Sequence, residues 1–556
     1  MKCEKHNWKR FKYFFLINLI QFGIDFYYTA NIGVISSFIY SDWKEDTGLN
    51  FESDLSATIF VGLLTQLIIG AISDRCTSKF GRRRIFMAIG TVIAIVSQFL
   101  SICLMFVPMK EIENINSPNE ISNGNSMRHG TFWLLFALAR ITSIGINMIQ
   151  VGYRAFILDE FDAEYQLKVY SLSALQMTLS QFVYSFLYLF ISVIVFAKFN
   201  SYEIESSYSD NFHEDKAKLP YYFLPIQILS IPILLVTMIL FWKSANETKY
   251  DGVEKEKKLF SKCKGVGKDI CNVCGSKQPM LYFLFLIVLF GWICYYSAKD
   301  KSEQMIHEIT FSNCSEFGEM MQHAIIQFIT SICGVLFGII VYKASNKIER
   351  LMLYGFGICG LSMFLYFIQP EQKYDKECLK EFGNWPVWIY MLPQCILPIL
   401  ICFLNSLPYA MLRTVSNPEK FGVSVGYVNS GVSIGQAIAV GLLSFIPRII
   451  MDNLQFKENE TVLQSEVYLS FYRVQMLFVI CLFIVTFILF FWYNRIKFTS
   501  SSSESTYIDV MGSTGTNIQQ YEKDFSYSFE NESTYLKESK IDKEMVQSVE
   551  VSINDN

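Results

Sequence analysis

The chain has 556 residues, 52% of them hydrophobic and 18% charged, with 49 Phe and 31 Tyr. The apolar residues fall in blocks of about twenty, the length that crosses a bilayer, so the composition points to a polytopic α-helical membrane protein whose first partner is lipid. A formal net charge of -4 supplies no basic field, and nucleic acid is set aside as a partner.

In chain order, spanning segments are expected near 13–38, 55–72, 85–107, 131–157, 169–197, 220–242, 280–299, 321–343, 351–369, 386–411, 422–448 and 470–493. The first is preceded by Lys2, Lys5, Lys9, Arg10 and Lys12 and is too long for the core of a cleavable signal, so it is expected to remain in the mature protein. Basic residues collect on one face: the N-terminus, the loop from Asp74 to Arg84, the stretch from Lys243 to Lys277, Lys343 to Arg350, and Arg413 with Lys420. The opposite loops, such as Asp42 to Asp54 and Glu203 to Asp215, are acidic, so the basic face is expected to be cytoplasmic, with both termini on it. The loop after span 4 is the exception, with Asp159, Glu160, Asp162 and Glu164.

The longest connection on the basic face, 244–279, divides the chain. An N-terminal six-helix bundle (1–243) and a C-terminal six-helix bundle (280–497) flank it, and a disordered cytoplasmic tail (498–556) follows. The expected fold class is therefore an all-α membrane protein with the twelve-helix major facilitator layout. Sequons at Asn313 and Asn459 fall in loops expected outside. Of the 14 cysteines, Cys263, Cys271 and Cys274 cluster in the central loop, but the Cys-x-x-Cys has no second pair. Reduced thiols or a zinc site are the two readings, and no metal or cofactor is assigned. No nucleophile–base motif or nucleotide loop is present in the sequence, so an enzyme is not expected.

Within the spans, polar residues repeat at helical spacing. Arg140, Ser143, Asn147, Gln150 and Arg154 share one face of span 4, and a buried Arg costs about 2.5–3.5 kcal/mol, so this stripe lines a watery cavity, meets an acid, or bonds to neighbouring helices. In span 1, Asp25 lies about halfway across, one turn from Gln21 and next to Tyr28. Desolvation favours its neutral form and a nearby Arg its charged form. Its protonation could therefore switch with conformation, or it could form a constant ion pair with Arg140 or Arg154. Span 7 contributes Trp292, Tyr295 and Tyr296 and ends in Lys299, Asp300, Glu303, His307 and Glu308; span 11 contributes Asn429, Ser433 and Gln436. The candidate substrate-binding set is Gln21, Asp25, Tyr28, Asn147, Gln150, Arg154, Trp292, Asn429 and Gln436. Amides, an Arg and a carboxylate interleaved with aromatic faces suit sugar hydroxyls and ring faces, as well as other polar metabolites. Asp74, Arg75, Gly81, Arg82, Arg83 and Asp159 can hold the basic side shut by charge-assisted contacts and are expected to form a gate.

Residues 73–84, Ser-Asp-Arg-Cys-Thr-Ser-Lys-Phe-Gly-Arg-Arg-Arg, closely resemble the corresponding loop of plant sucrose–proton symporters and their animal relatives. Gln21-Phe22-Gly23, Asn147-x-x-Gln150 followed by Arg154-Ala155 and Asp159, Pro408-Tyr409-Ala410 and Gly422 through Gln436 are similar to other signatures of that family. The resemblance implies a sucrose-like sugar carrier of the glycoside–pentoside–hexuronide cation symporter type, transporting a disaccharide or glucoside, with protons as co-substrate. Ser143 stands where the plant symporters carry an acid, which shifts the coupling role to Asp25 or leaves an uncoupled uniporter. A non-transporting sensor is the reading from another class. A monomer in the plasma membrane is expected, with an endosomal or vacuolar membrane as the alternative.

Overall fold

A bilayer leaves the backbone no water to bond to, so a chain this apolar satisfies its amides within helices. The computed structural model describes residues 11–31, 51–76, 78, 80–105, 121–205, 222–245, 265–274, 279–310, 316–367, 385–440 and 473–493, and these are helical almost throughout. They belong to one compact unit, Met1–Tyr493; a second, Asn494–Asn556, lies outside the described residues. So do Cys263, both sequons and the greater part of the acidic loops.

The helices are α1 (11–31), α2 (Phe51–Asp74), α3 (Arg84–Met105), α4 (Ile121–Glu160), α5 (Ala163–Glu205), α6 (Leu224–Ser244), α7 (Val266–Cys274), α8 (Pro279–Thr310), α9 (Glu316–Lys343), α10 (Ile348–Ser362), α11 (Trp385–Ile396), α12 (Pro398–Val415), α13 (Phe421–Val440) and α14 (Arg473–Tyr493). Among the described residues, nine helices are long and apolar enough to cross a membrane. The chain is an integral, multi-spanning, all-α membrane protein. α1 and α13 are less apolar because they carry Asn18, Gln21, Asp25 and Asn31 in one and Asn429, Ser430, Ser433 and Gln436 in the other.

Four elements depart in form from the sequence expectation. α4 and α5 run for 40 and 43 residues, about 60 Å each, and so extend well past a bilayer core of about 30 Å. The expected span 10 is one span, Met391–Val415, whose helix is interrupted at Leu397, between α11 and α12, where Pro393 and Pro398 flank the turn and each removes a backbone donor. The connection 244–279 also contains a helix, α7, whose Val266 and Ile270 pack on the core and whose Val273 is buried, while Lys268 and Cys271 face outward.

Polar side chains between helices fix the first half of the chain. Asn31 of α1 donates to Gln98 Oε1 of α3 at 2.8 Å, and Gln98 Nε2 reaches the Gln227 carbonyl and Ser230 Oγ of α6, both at 3.0 Å. Tyr27 OH donates to the Ala94 carbonyl at 2.6 Å. Leu, Phe and Val side chains on the outer faces, among them Val92, Phe99, Phe190 and Trp492, are exposed in the lipid-facing positions such helices require.

Candidate functional site

The site begins with Asp25, a turn beyond Gln21 on α1. Gln21 Nε2 donates to Asp25 Oδ2 at 2.6 Å, and among the described residues Asp25 forms no ion pair. Arg154 lies within electrostatic reach of it without touching it. In place of the alternative, a constant Asp25–Arg ion pair, Arg154 here turns to the second half of the chain. Its Nη1 donates to Tyr409 OH and Asn429 Oδ1, its Nη2 donates to Asn405 Oδ1 at 2.9 Å, and its guanidinium stacks 4.1 Å from the Tyr409 ring centre. The Arg154 carbonyl accepts from Tyr170 OH at 2.7 Å, which fixes the backbone behind it. All the acceptors around this buried cation are neutral, so Arg154 acts as a strut from α4 to α12 and α13. Arg140, about four turns away toward the other end of α4, stacks on Phe136 at 3.8 Å.

The remaining predicted ligands surround this pair unequally. Gln150, one turn before Arg154, is half-buried and has no side-chain partner among the described residues. Asn147 is tied down: it donates to the Ser143 carbonyl at 2.8 Å and to Ser143 Oγ at 3.2 Å, and accepts from Gln66 Nε2 of α2. On α8, Trp292 stacks on Tyr296 with centres 5.3 Å apart and meets Tyr295 edge-on at 5.6 Å. Tyr296 in turn lies near Tyr28 and Asp25, and Tyr28 faces Gln436 across the two halves. At the site, the buried donors Trp292 Nε1 and Asn429 Nδ2 have no acceptor among the described residues. A buried unpaired N–H costs about 1–3 kcal/mol, so these groups are ones a solute can satisfy. The side chains of Asp300, Glu303, His307 and Glu308 lie outside the described residues.

At the end bearing the basic loops, Asp74, Arg82, Arg83 and Asp159 form one connected system, while Arg75 pairs instead with Asp269 of α7. Asp74 Oδ1 pairs with Arg83 Nη2 at 2.6 Å and accepts from Gly422 N–H at 2.8 Å, while Oδ2 accepts from Val423 N–H at 2.8 Å. Those amides open α13, where a helix has no internal acceptor for them, so the Asp74 carboxylate caps a helix of the other half. Arg83 also pairs with Asp159 at 2.7 Å and donates to Ser73 Oγ at 2.6 Å, and Arg82 Nη2 reaches Asp159 Oδ1 at 2.5 Å. Burial opposes the charge on Arg83, but Asp159 and then Asp74 outweigh it, and its pKa lies above the ordinary arginine value. The acidic loop after span 4 thus has its reason: Asp159 neutralises two arginines. Gly81 supplies the turn that brings them in, at φ 98°, a left-handed conformation that favours glycine. α2 and α13 touch backbone to backbone, since a Cβ on Gly70 would sit 2.3 Å from the Gly422 carbonyl oxygen. Arg413 of α12 donates to the Phe161 carbonyl of the first half. The two halves are therefore in contact at this end.

Sequence reasoning missed Asn405 and the role of Tyr409. They stand four residues apart on one face of α12, the same spacing that identified the α4 stripe.

Apolar spanning helices that enclose buried polar side chains and are joined at one end by charge-to-dipole contacts define a membrane transporter. The chain belongs to the major facilitator superfamily, whose family model matches residues 18–440. It is thus a carrier of the alternating-access kind rather than an enzyme. No curated protein matches. Among solved structures it is similar to a proton:xylose symporter, XylE, bound to 6-bromo-6-deoxy-D-glucose, with 13% identity, TM-score 0.51, and coverage of 84% of this chain and 94% of that one. It is similar to the transporter FucP in the outward conformation, with 11% identity, TM-score 0.54, and coverage of 86% and 98%. It is also similar to the human organic anion transporter MFSD10, with 12% identity, TM-score 0.52, and coverage of 86% and 98%. At these identities the likeness is one of fold.

Proposed function

We propose that the protein carries a sugar, a disaccharide or glucoside of sucrose-like chemistry, by proton symport through a twelve-helix, two-bundle fold with both termini cytoplasmic. The observation that carries this reading is Asp25, a membrane-embedded carboxylate held by Gln21 and, among the described residues, by no cation, beside an Arg154 that neutral oxygens occupy. Such an acid can take up and release a proton as its distance from Arg154 changes between the two faces of the cycle. The solute side of the site is supported by the free amide of Gln150, the unpaired donors Asn429 Nδ2 and Trp292 Nε1, and the Trp292–Tyr296 stack. The donors suit hydroxyl oxygens, and the stack suits the apolar face of a pyranose ring.

The test is uptake of a radiolabelled sugar panel into proteoliposomes, with and without a proton ionophore, by the native protein and by Asp25→Asn. The variant is expected to lose uphill accumulation under an imposed pH gradient while keeping exchange. Gradient-driven uptake unchanged by Asp25→Asn removes Asp25 from coupling. Uptake that ignores the ionophore in the native protein replaces symport by uniport, the reading that Ser143 favours. Failure to move any sugar in the panel replaces the sugar by another small polar metabolite.

A further inference from the structure

Two free thiols on different helices meet inside the second half of the chain. Cys395, near the end of α11, donates its S–H to Cys333 Sγ of α9. The contact sits where span 10 turns, since Leu397 follows Cys395 by two residues. The surroundings of that turn are packed on both sides. A Cβ on Gly334, next to Cys333, would stand 3.5 Å from the Pro398 Cβ, and Cys359 of α10 donates to the Ile396 carbonyl at 3.8 Å. Cys333 lies ten residues before Lys343, the end of α9. That is about 15 Å along the helix, near the middle of a bilayer core of about 30 Å. Both thiols are half-buried, and their neighbours Ile332 and Leu336 of α9 and Leu392 of α11 are exposed in lipid-facing positions. The pair therefore borders acyl chains, away from the water-soluble thiols that keep cytosolic cysteines reduced.

We propose that Cys333 and Cys395 form a modification site, an oxidisable dithiol that an organic hydroperoxide dissolved in the bilayer converts to a disulfide, tying the turn of span 10 to α9. Cys333 Sγ, the hydrogen-bond acceptor, attacks the peroxide: an S–O bond forms, the O–O bond breaks, and the alcohol leaves with the thiol proton. Cys395 Sγ then displaces the hydroxyl of the resulting sulfenic acid. The S–S bond forms, the S–O bond breaks, and water leaves with the Cys395 proton. The two thiols give up two electrons, and the hydroperoxide takes them. Both helices belong to the second half of the chain, so the bond stiffens that half around Leu397 without crossing to the first.

The test treats the full chain in nanodiscs with cumene hydroperoxide, blocks the remaining thiols, and maps the cysteines by peptide mass spectrometry without reduction. The expected product is a linked pair of peptides carrying Cys333 and Cys395, lighter by two hydrogens. Cys103 of α3 and Cys481 of α14, which are exposed on other helices, are expected to be recovered unlinked. Hydrogen exchange at the Leu397 and Leu400 amides, whose acceptors are the Pro393 and Leu397 carbonyls, is expected to slow about tenfold on oxidation of the native protein and to stay unchanged in Cys333→Ser. Recovery of Cys333 and Cys395 unlinked overturns the site. A link that forms as fast with hydrogen peroxide in the water phase overturns access from the lipid. A link that leaves exchange at Leu397 and Leu400 unaltered overturns its hold on the turn. These readouts need neither a transported solute nor Asp25, so this site and the proposed function can fail separately.

Discussion

Replacing Asp74 by Asn removes one charge and changes almost no volume, and the structure says where the loss falls. The carboxylate accepts three hydrogen bonds, from Arg83 Nη2 at 2.6 Å and from the Gly422 and Val423 amides, each at 2.8 Å. An asparagine oxygen can keep Gly422 and Arg83, but its NH2 then faces the Val423 N–H, donor against donor. One charge-assisted bond is lost, worth about 1.5–3 kcal/mol. The negative charge at the start of α13 is lost as well, worth about 0.3–1 kcal/mol. The two contacts to α13 exist only while the halves touch, so the cost of about 2–4 kcal/mol falls on the closed arrangement. At about 1.4 kcal/mol per factor of ten, the equilibrium moves roughly 30- to 700-fold toward opening at the basic end. The assay is labelling of a single cysteine at Ser433, on the site face of α13, by a membrane-impermeant maleimide applied from the basic side in a cysteine-depleted background. Asp74→Asn is expected to raise the labelling rate by at least an order of magnitude. Native-rate labelling in a folded, monodisperse variant would show that Asp74 does not hold the halves together.

Three further outcomes follow from the same contacts. Gly70→Ala places a Cβ 2.3 Å from the Gly422 carbonyl oxygen, so α2 and α13 must separate at a cost of about 1–3 kcal/mol, and the Ser433 labelling rate is expected to rise; an unchanged rate would mean the two backbones do not touch. Gln98→Leu removes the acceptor of Asn31 and the donor to Gln227 and Ser230, and is expected to lower stability by about 1–2 kcal/mol, read as a fall in Tm in detergent; an unchanged Tm would make the buried network energetically idle. Arg154→Lys keeps the charge but cannot span Asn405, Asn429 and Tyr409 at once, so it is expected to slow transport and to lower Tm, and native transport would place this strut outside the cycle.

How much was legible depended on whether a residue's period or only its partner mattered. The stripe from Arg140 to Arg154 on α4 and the pair Gln21–Asp25 on α1 stood out because polar groups at helical spacing are conspicuous against lipid-soluble neighbours. The Asp74–Arg83 contact was foreshadowed by a dense local charge pattern, and Asp159 by its breach of the positive-inside trend. What Arg154 touches was not readable, since Asn405 and Asn429 lie 251 and 275 residues away in sequence and nothing local marks them as acceptors. Span 10 was legible as a single crossing from its apolar length, and Pro393 and Pro398 mark the turn at Leu397 within it. α7 was hidden by its nine residues and its lysine-rich surroundings, although Val266, Ile270 and Val273 keep a helical period.

The chemistry of the contacts also separates what stays from what moves. The ion pairs Arg83–Asp74, Arg83–Asp159 and Arg82–Asp159 all lie within the first half of the chain, and breaking a buried pair of that kind costs about 3–5 kcal/mol. Away from solvent, contacts between the halves instead set a charge against a neutral dipole: Asp74 against the Gly422 and Val423 amides, Arg154 against Asn405, Asn429 and Tyr409, and Arg413 against the Phe161 carbonyl, while the Arg413–Asp162 ion pair across the halves, at 3.4 Å, lies in the open. When such a contact opens, water or a solute hydroxyl can replace the dipole at little cost, and no buried charge is left facing a bare opposite one. A carrier that must pass through both arrangements in every cycle needs this division, since an interface of buried ion pairs would trap one of them. The shared Asp269 fits the same rule, because its cations Arg75 and Lys420 are about one-third exposed and water can take its place.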